Sequence, residues 1–185
     1  MSTIDTTALV NDYSDLLYRF ALPRVNDKDL AKDLVQDTFV SALKNIDSYK
    51  AEASLKNWLM TILKNKIIDH YRKAATRLTD RLATENDSDS FFEGDGHWSK
   101  PAYPKDWAIP YGSRIEQKEF YSVFELCMKK LKEIQHAVFS MKYLDDIDSD
   151  EICKQLNITA SNYWVLIHRA KTQLRSCLEK NWFTK

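Results

Sequence analysis

The chain has 185 residues, 44% of them hydrophobic and 29% charged, with 27 Lys and Arg set against 27 Asp and Glu. That composition fits one ordinary globular domain or two small ones and excludes a disordered or fibrous chain; no apolar run is long enough to cross a bilayer. Only three glycines occur, Gly94, Gly96 and Gly112, and neither GxGxxG nor GxxxxGK[ST] is present, so the Rossmann and P-loop nucleotide enzymes are out.

The opening Met1-Ser2-Thr3-Ile4-Asp5 lacks the basic and then apolar pattern of a secretory signal. From Ala8 to Leu22, Leu9, Tyr13, Leu16, Leu17 and Phe20 recur at helical spacing, with Pro23 expected to interrupt. Asn26-Asp27 offers an N-cap for a second helix, about 27–44, whose stripe is Leu30, Leu34, Val35, Thr38 and Leu43. A third helix is expected from about Ser54 to Thr76, with Leu55, Trp58, Leu59, Ile62, Ile67 and Tyr71 inward and most of its bases outward. Between them lies the short polar loop Tyr49–Ala53.

The glycines and three of the four prolines, Pro101, Pro104 and Pro110, gather in one irregular interval near 85–113. It is rich in aromatics (Phe91, Phe92, Trp98, Tyr103, Trp107, Tyr111), which a purely flexible tether would not need. His97 with Asp95 and Asp106 is too sparse a set to make a metal site, and none is expected. Beyond it, Phe120, Phe124, Cys127 and Leu131 mark one helix, and Val138, Met141 and Tyr143 part of the next. Asp148 can cap a short helix, with Glu151 answering from N3 in a capping box. Asn157 suits a left-handed turn, Thr159 can cap again, and a long helix of about 160–180 follows with Tyr163, Ile167, Ala170, Leu174 and Cys177 inward. Cys127, Cys153 and Cys177 are odd in number, far apart and in no CxxC pair. A disulfide is therefore not expected; buried core thiols in a reducing cytoplasm are.

Divided by segment, the neutral total disappears. Residues 1–53 carry six bases and nine acids, and residues 54–77 carry six bases and one acid. Residues 115–150 carry five bases and eight acids, and residues 151–185 carry six and two. One basic run alone is an ordinary solvated helix face; two, one in each half, suit a polyanion.

A short capped helix, a tight turn at Asn157 and a long basic helix make a helix-turn-helix, whose second helix enters the major groove. Arg169, Lys171 and Arg175 would neutralise phosphates, and Asn162 and His168 can meet base edges. These residues, taken with the basic third helix and the acidic second one, complete a resemblance. The chain resembles the extracytoplasmic-function (ECF) sigma factors of bacterial RNA polymerase over nearly its whole length. "DLAKDLVQDTFVSAL" (Asp29–Leu43) resembles the region-two helix that docks on the clamp helices of the beta-prime subunit. "SLKNWLMTILKNKIIDHYRK" (Ser54–Lys73) resembles the segment that recognises and melts the minus-ten element. "DEICKQLNITASNYWVLIHRAKTQLRSCL" (Asp150–Leu178) resembles the region-four helix-turn-helix that reads the minus-thirty-five element.

The resemblance implies an all-α fold of two small helical domains, 1–84 and 114–185, joined by an irregular linker, 85–113. It implies that Asp33, Gln36 and Asp37, on one face at i, i+3 and i+4, bind polymerase, and that Trp58 belongs to the core. It assigns the minus-ten element to Tyr49, Lys50, Ser54, Lys56, Lys64, Asn65, Arg72 and Lys73, with a flipped base held in the loop Tyr49–Leu55. It assigns the minus-thirty-five element to Ser161, Asn162, Trp164, Val165, His168, Arg169 and Lys171. Trp164 and Val165 are apolar where the family often carries small or basic residues; they suit thymine methyls or an inhibitory protein. The implied partners are core polymerase (beta-prime clamp helices and beta flap), promoter DNA and an anti-sigma factor. The expected place is the cytoplasm, without membrane insertion, cofactor, metal or enzymatic activity. The other reading is a helix-turn-helix regulator that is not a polymerase subunit.

Overall fold

The computed structural model describes residues 6–49, 54–82, 100 and 114–183, and among these the chain is helical, with no strand. Its elements are α1 (Thr6–Val25), α2 (Lys28–Lys44), a single 3-10 turn (Ile46–Ser48) and α3 (Leu55–Leu82), then α4 (Arg114–Met128), α5 (Glu133–Tyr143), α6 (Ser149–Leu156) and α7 (Ala160–Leu178). The aromatic interval 91–112, His97, Asp95, Asp106 and Lys50 lie outside the described residues, apart from Lys100.

Pro23 does not interrupt the first helix; it sits inside the last turn of α1. A proline there removes one N–H near the helix end, a loss small enough for neighbouring bonds to offset. The Asn26 N–H donates to the Leu22 carbonyl and the Arg24 guanidinium to the Phe20 carbonyl, both at 2.8 Å. The helix stops where Asn26 turns left-handed, at φ 53°. Asp27 then caps α2, its carboxylate accepting from the N–H groups of Asp29 (2.8 Å) and Leu30 (2.9 Å). The α2 stripe is Ala31, Leu34, Val35, Thr38, Phe39 and Ala42. Leu43, expected in that stripe, is exposed: one residue past Ala42 turns the side chain about 100° outward.

The two half-bundles do not lie apart. Leu9, Leu17, Ala21, Leu34, Phe39, Leu59, Leu63 and Ile67 of the first half form one apolar cluster with Ile134, Val138, Met141, Ile152, Leu156, Tyr163 and Ile167 of the second. Helix α5 packs on α1 and α3, and α6 packs on α3. Polar contacts cross the same boundary. The Arg24 guanidinium pairs with Asp145 (Nε to Oδ1 3.0 Å), and the Tyr71 hydroxyl donates to the Arg24 carbonyl at 2.6 Å. His70 Nε2 lies 2.8 Å from a Glu133 carboxylate oxygen, and Arg72 Nε donates to the Gln155 carbonyl at 2.9 Å.

A second, smaller cluster unites α4 and α7: Cys127, Met128, Leu131, Ala170, Leu174 and Leu178. Here the expectation of free core thiols fails. Cys127 and Cys177 are joined in a disulfide, with Cα atoms 5.7 Å apart, and only Cys153 is a free thiol. The pairing depends on how α4 lies along α7, which no local spacing encodes across 50 residues. The capping box also fails to form. Asp148 is the N-cap of α6 but its carboxylate makes no cap bond, and Glu151 accepts instead from Gln155 Nε2 at 2.8 Å, one turn onward.

His136 is buried at the boundary, its Nδ1 3.4 Å from the Tyr71 oxygen. Since that phenol already donates to Arg24, the imidazole Nδ1 supplies the proton of this contact. Burial lowers the His136 pKa from 6.5 to about 4, against a smaller raising effect of the Arg24 backbone. The neutral ring is therefore the folded form, and the unfolded chain binds the proton first as pH falls. Stability from this residue is complete above pH 6.5 and is lost between there and about pH 4, by up to about 3 kcal/mol. Urea unfolding at pH 7 and pH 5 is expected to show this loss, and His136→Gln to flatten it.

Candidate nucleic-acid interface

The helix-turn-helix is built from local chemistry. Asn157 takes φ 55° and ψ 48°, so α6 ends in a left-handed residue. The Ile158 N–H then reaches back to the Cys153 carbonyl at 3.0 Å, closing the six-residue ring of a Schellman turn. Thr159 begins α7, its hydroxyl accepting from the Asn162 N–H at 3.2 Å. Ile152 and Leu156 of α6 and Tyr163, Leu166 and Ile167 of α7 are buried together in the main cluster. This fixes which side of α7 remains outside.

That outer side carries Ser161, Trp164, Val165, His168 and Lys171, all exposed, at i, i+3, i+4, i+7 and i+10. Trp164 is 62% exposed and meets Tyr163 edge-on, with centroids 5.2 Å apart. Lys171 Nζ lies 5.4 Å over the Tyr143 ring, within cation–π range. Asn162 and Arg169 are half-buried at the rim of this face. Of the seven residues expected at the minus-thirty-five element, five are thus exposed at helical spacing and Asn162 and Arg169 are half-buried.

On α3, Lys56, Lys64, Asn65, Arg72 and Lys73 are all exposed, as is Ser54 just before the helix. The Ser54 hydroxyl accepts from the Asn57 N–H at 3.3 Å and so starts α3. Tyr49 is half-buried, its ring 5.1 Å from that of Trp58. Trp58 is itself half-buried against the core, as expected, and lines an open hollow of about 360 Å³ with Ser41, Asn45, Ile62, Asn65 and Lys66. Asn65 also borders a second hollow, of about 260 Å³, between the halves. Arg72 is already engaged: besides Gln155 it bonds Asp69 at 2.8 Å. Lys64 Nζ leans over Phe20 at 5.6 Å. The expected α3 residues thus fall into two groups. Lys56 and Lys73 point into solvent, whereas Lys64, Asn65 and Arg72 lie along the boundary with the second half.

On α2, Asp33, Gln36 and Asp37 are exposed on one face. Val40 (48% exposed), which sequence reasoning missed, and Leu43 (36%), which it placed inward, continue it. The signal was available: 33, 36, 40 and 43 follow the same helical spacing. Among the described residues no three His, Cys, Asp or Glu side chains converge as metal ligands, and no helix is long and apolar enough to cross a membrane.

The chain is similar in sequence to known proteins. The Sigma-70 region 2 family matches residues 9–77, and the Sigma-70 region 4 family matches residues 122–174. A probable RNA polymerase sigma factor of Haemophilus influenzae is 40% identical over 162 residues, covering 87% of this chain and 83% of its own. The ECF RNA polymerase sigma factor SigM of Bacillus subtilis is 27% identical over 89% of each chain. A solved complex of the sigma factor RpoE with the anti-sigma factor NepR from Bartonella quintana overlays 97% of this chain on 99% of that one, with 22% identity and a TM-score of 0.46.

The turn of the helix-turn-helix is open to direct test at Asn157, which is exposed and left-handed. Asn157→Gly is expected to leave stability nearly unchanged, whereas Asn157→Val, β-branched, is expected to cost about 1–2 kcal/mol in urea unfolding.

Proposed function

The chain belongs to the extracytoplasmic-function class of bacterial RNA polymerase sigma factors, which direct the polymerase to promoters, and we propose that three of its helical faces divide that work. Asp33, Gln36 and Asp37, with Val40 and Leu43 beside them, dock α2 on the clamp helices of the polymerase. A mixed acidic and apolar face suits a protein partner: charge steers the encounter and the apolar pair supplies burial. Tyr49, Lys50, Ser54, Lys56, Lys64, Asn65, Arg72 and Lys73 engage the minus-ten element. Opening a duplex requires no nucleophile, only a surface that binds unstacked bases better than stacked ones. The protein therefore works without catalytic residues or a cofactor. The hollow beside Trp58 and Asn65 supports a site for an unstacked base.

The outer face of α7 reads the minus-thirty-five element. Lys171 and Arg169 hold phosphates, Ser161, Asn162 and His168 meet base edges, and Trp164 and Val165 lie on thymine methyls. Work at the promoter places the protein in the cytoplasm, and the class makes an anti-sigma factor its expected restraint.

The observation that carries this reading is the order of the faces. An α2 with an acidic face at Asp33 and Asp37, a basic α3 and a helix-turn-helix with a basic second helix each turn their other side into one core. Arg72 bridges the halves through Gln155 and Lys64 leans on Phe20 of α1, so two of the α3 bases that would meet phosphate are already in contact within the molecule.

Gel filtration with core polymerase, followed by run-off transcription on a genomic promoter library, tests the whole. Co-elution and transcripts sharing two upstream elements are expected. Failure to bind core polymerase would leave a DNA-binding regulator in its place. Within that assay, Asp37→Lys is expected to weaken polymerase binding about tenfold, a change of roughly 1.4 kcal/mol. Asn65→Ala is expected to lower open-complex formation more than duplex binding. Lys171→Ala is expected to weaken duplex binding for all sequences and to reduce its salt dependence by about one phosphate contact.

A further inference from the structure

The Cys127–Cys177 bond joins the last turn of α4 to the last turn of α7. Its two sulfurs are not equivalent. Cys127 is 1% exposed, whereas Cys177 is only partly buried. The Asn181 carboxamide donates to the Cys177 carbonyl at 2.7 Å and lies 3.5 Å from its sulfur, where it can stabilise a thiolate. Cys177 is thus the more accessible residue of the pair and Cys127 the buried one.

The bond also sits where it matters mechanically. The main cluster holds Tyr163, Leu166 and Ile167 near the start of α7, but α4 is fastened by the small cluster of Met128, Leu131, Ala170, Leu174 and Leu178 around the sulfurs. Phe120, Val123, Phe124, Phe139 and Phe183 pack around that cluster, and the covalent link adds to their hold on α4 by tying its last turn to the last turn of α7.

The inference rests on the reading of the chain as a promoter-directing subunit at work in the cytoplasm. There the thiol pool is reducing, and disulfides that do form are transient or redox-sensing and not permanent staples. We propose that Cys127 and Cys177 are a reversible thiol–disulfide site that exchanges with low-molecular-weight disulfides and fastens α4 to the DNA-facing helix when oxidised. The Cys177 thiolate attacks one sulfur of the small disulfide, whose S–S bond breaks and releases one thiolate. The Cys127 thiolate then attacks the Cys177 sulfur, displacing the second. Two protein thiols lose two electrons and two protons, and one small disulfide becomes two small thiols. Cys153 stands outside the exchange: it lies on α6, and burial and the charge of Asp150 push its thiol up, away from the reactive thiolate.

The test uses the full chain equilibrated in glutathione buffers from fully reduced to predominantly oxidised, quenched with N-ethylmaleimide and weighed intact. All three cysteines are expected to be alkylated at the reduced end and Cys153 alone at the oxidised end, reversibly. The oxidised chain is expected to melt several degrees above the reduced one. Cys127→Ser and Cys177→Ser should each abolish both effects, and Cys153→Ser neither. A pair that stays alkylated in the most oxidising buffer, a bond that survives excess reduced glutathione, or equal melting of the two forms would overturn the proposal. Run-off transcription reads the underlying assignment separately. Transcripts with unresponsive thiols sink the switch alone, and responsive thiols without transcripts sink the cytoplasmic role from which its conditional character follows.

Discussion

Arg24 holds the two halves of this protein together through both of its ends. Its carbonyl, among the last of α1 and without a helical partner, accepts the Tyr71 hydroxyl from α3. Its guanidinium lies 3.5 Å over the Phe20 ring and bonds both oxygens of Asp145, just beyond α5. Both side chains of the ion pair are more than four-fifths covered, so either charge left alone would be poorly solvated. The α1 terminus, the middle of α3 and the end of α5 are thereby fixed relative to one another. The apolar residues that merge the two bundles close around that junction.

The same junction governs what the DNA-facing helices present. Helix α3 already has Arg72 Nε on the Gln155 carbonyl, and Asn65 borders the hollow between the halves. Helix α7 is arranged otherwise. Its buried side is committed to the core, so its outer residues are presented whether or not the halves separate. One interface therefore borders the interdomain contact and the other does not, a difference that follows from which side of each helix the core takes.

What the sequence revealed depended on the range of the determining interaction. Asp27, Asn157 and Thr159 act on backbone groups within a few residues, and all three were legible from residue type and position. The outer face of α7 was legible too, because apolar residues at 163, 166, 167, 170 and 174 leave one side for the rest. Pro23 misled because its cost depends on how close it lies to a helix end. Asp148 and Glu151 misled because a suitable pair of residue types does not select between a cap and an i, i+4 contact with Gln155. Arg24 with Asp145, Arg72 with Gln155 and Cys127 with Cys177 were beyond reach. Each joins segments 50 or more residues apart, and one sequence offers no register between them.

The balance of charge acquires a second meaning from these pairs. A neutral chain divided into basic and acidic blocks is first read as one that meets two partners, a polyanion and a protein. Yet the acidic segment 115–150 contributes Glu133 and Asp145, which meet His70 and Arg24 of the first half. Part of the acidic excess is thus spent within the molecule, against bases that sit beside the α3 interface. Charge matched in this way does two things at once. It draws the acids of the second half onto the first, and it aligns the halves in the closed form. A phosphate approaching α3 likewise finds Arg72 already bonded to Asp69 and Gln155, so the charge free to meet it is smaller than a count of exposed lysines and arginines implies.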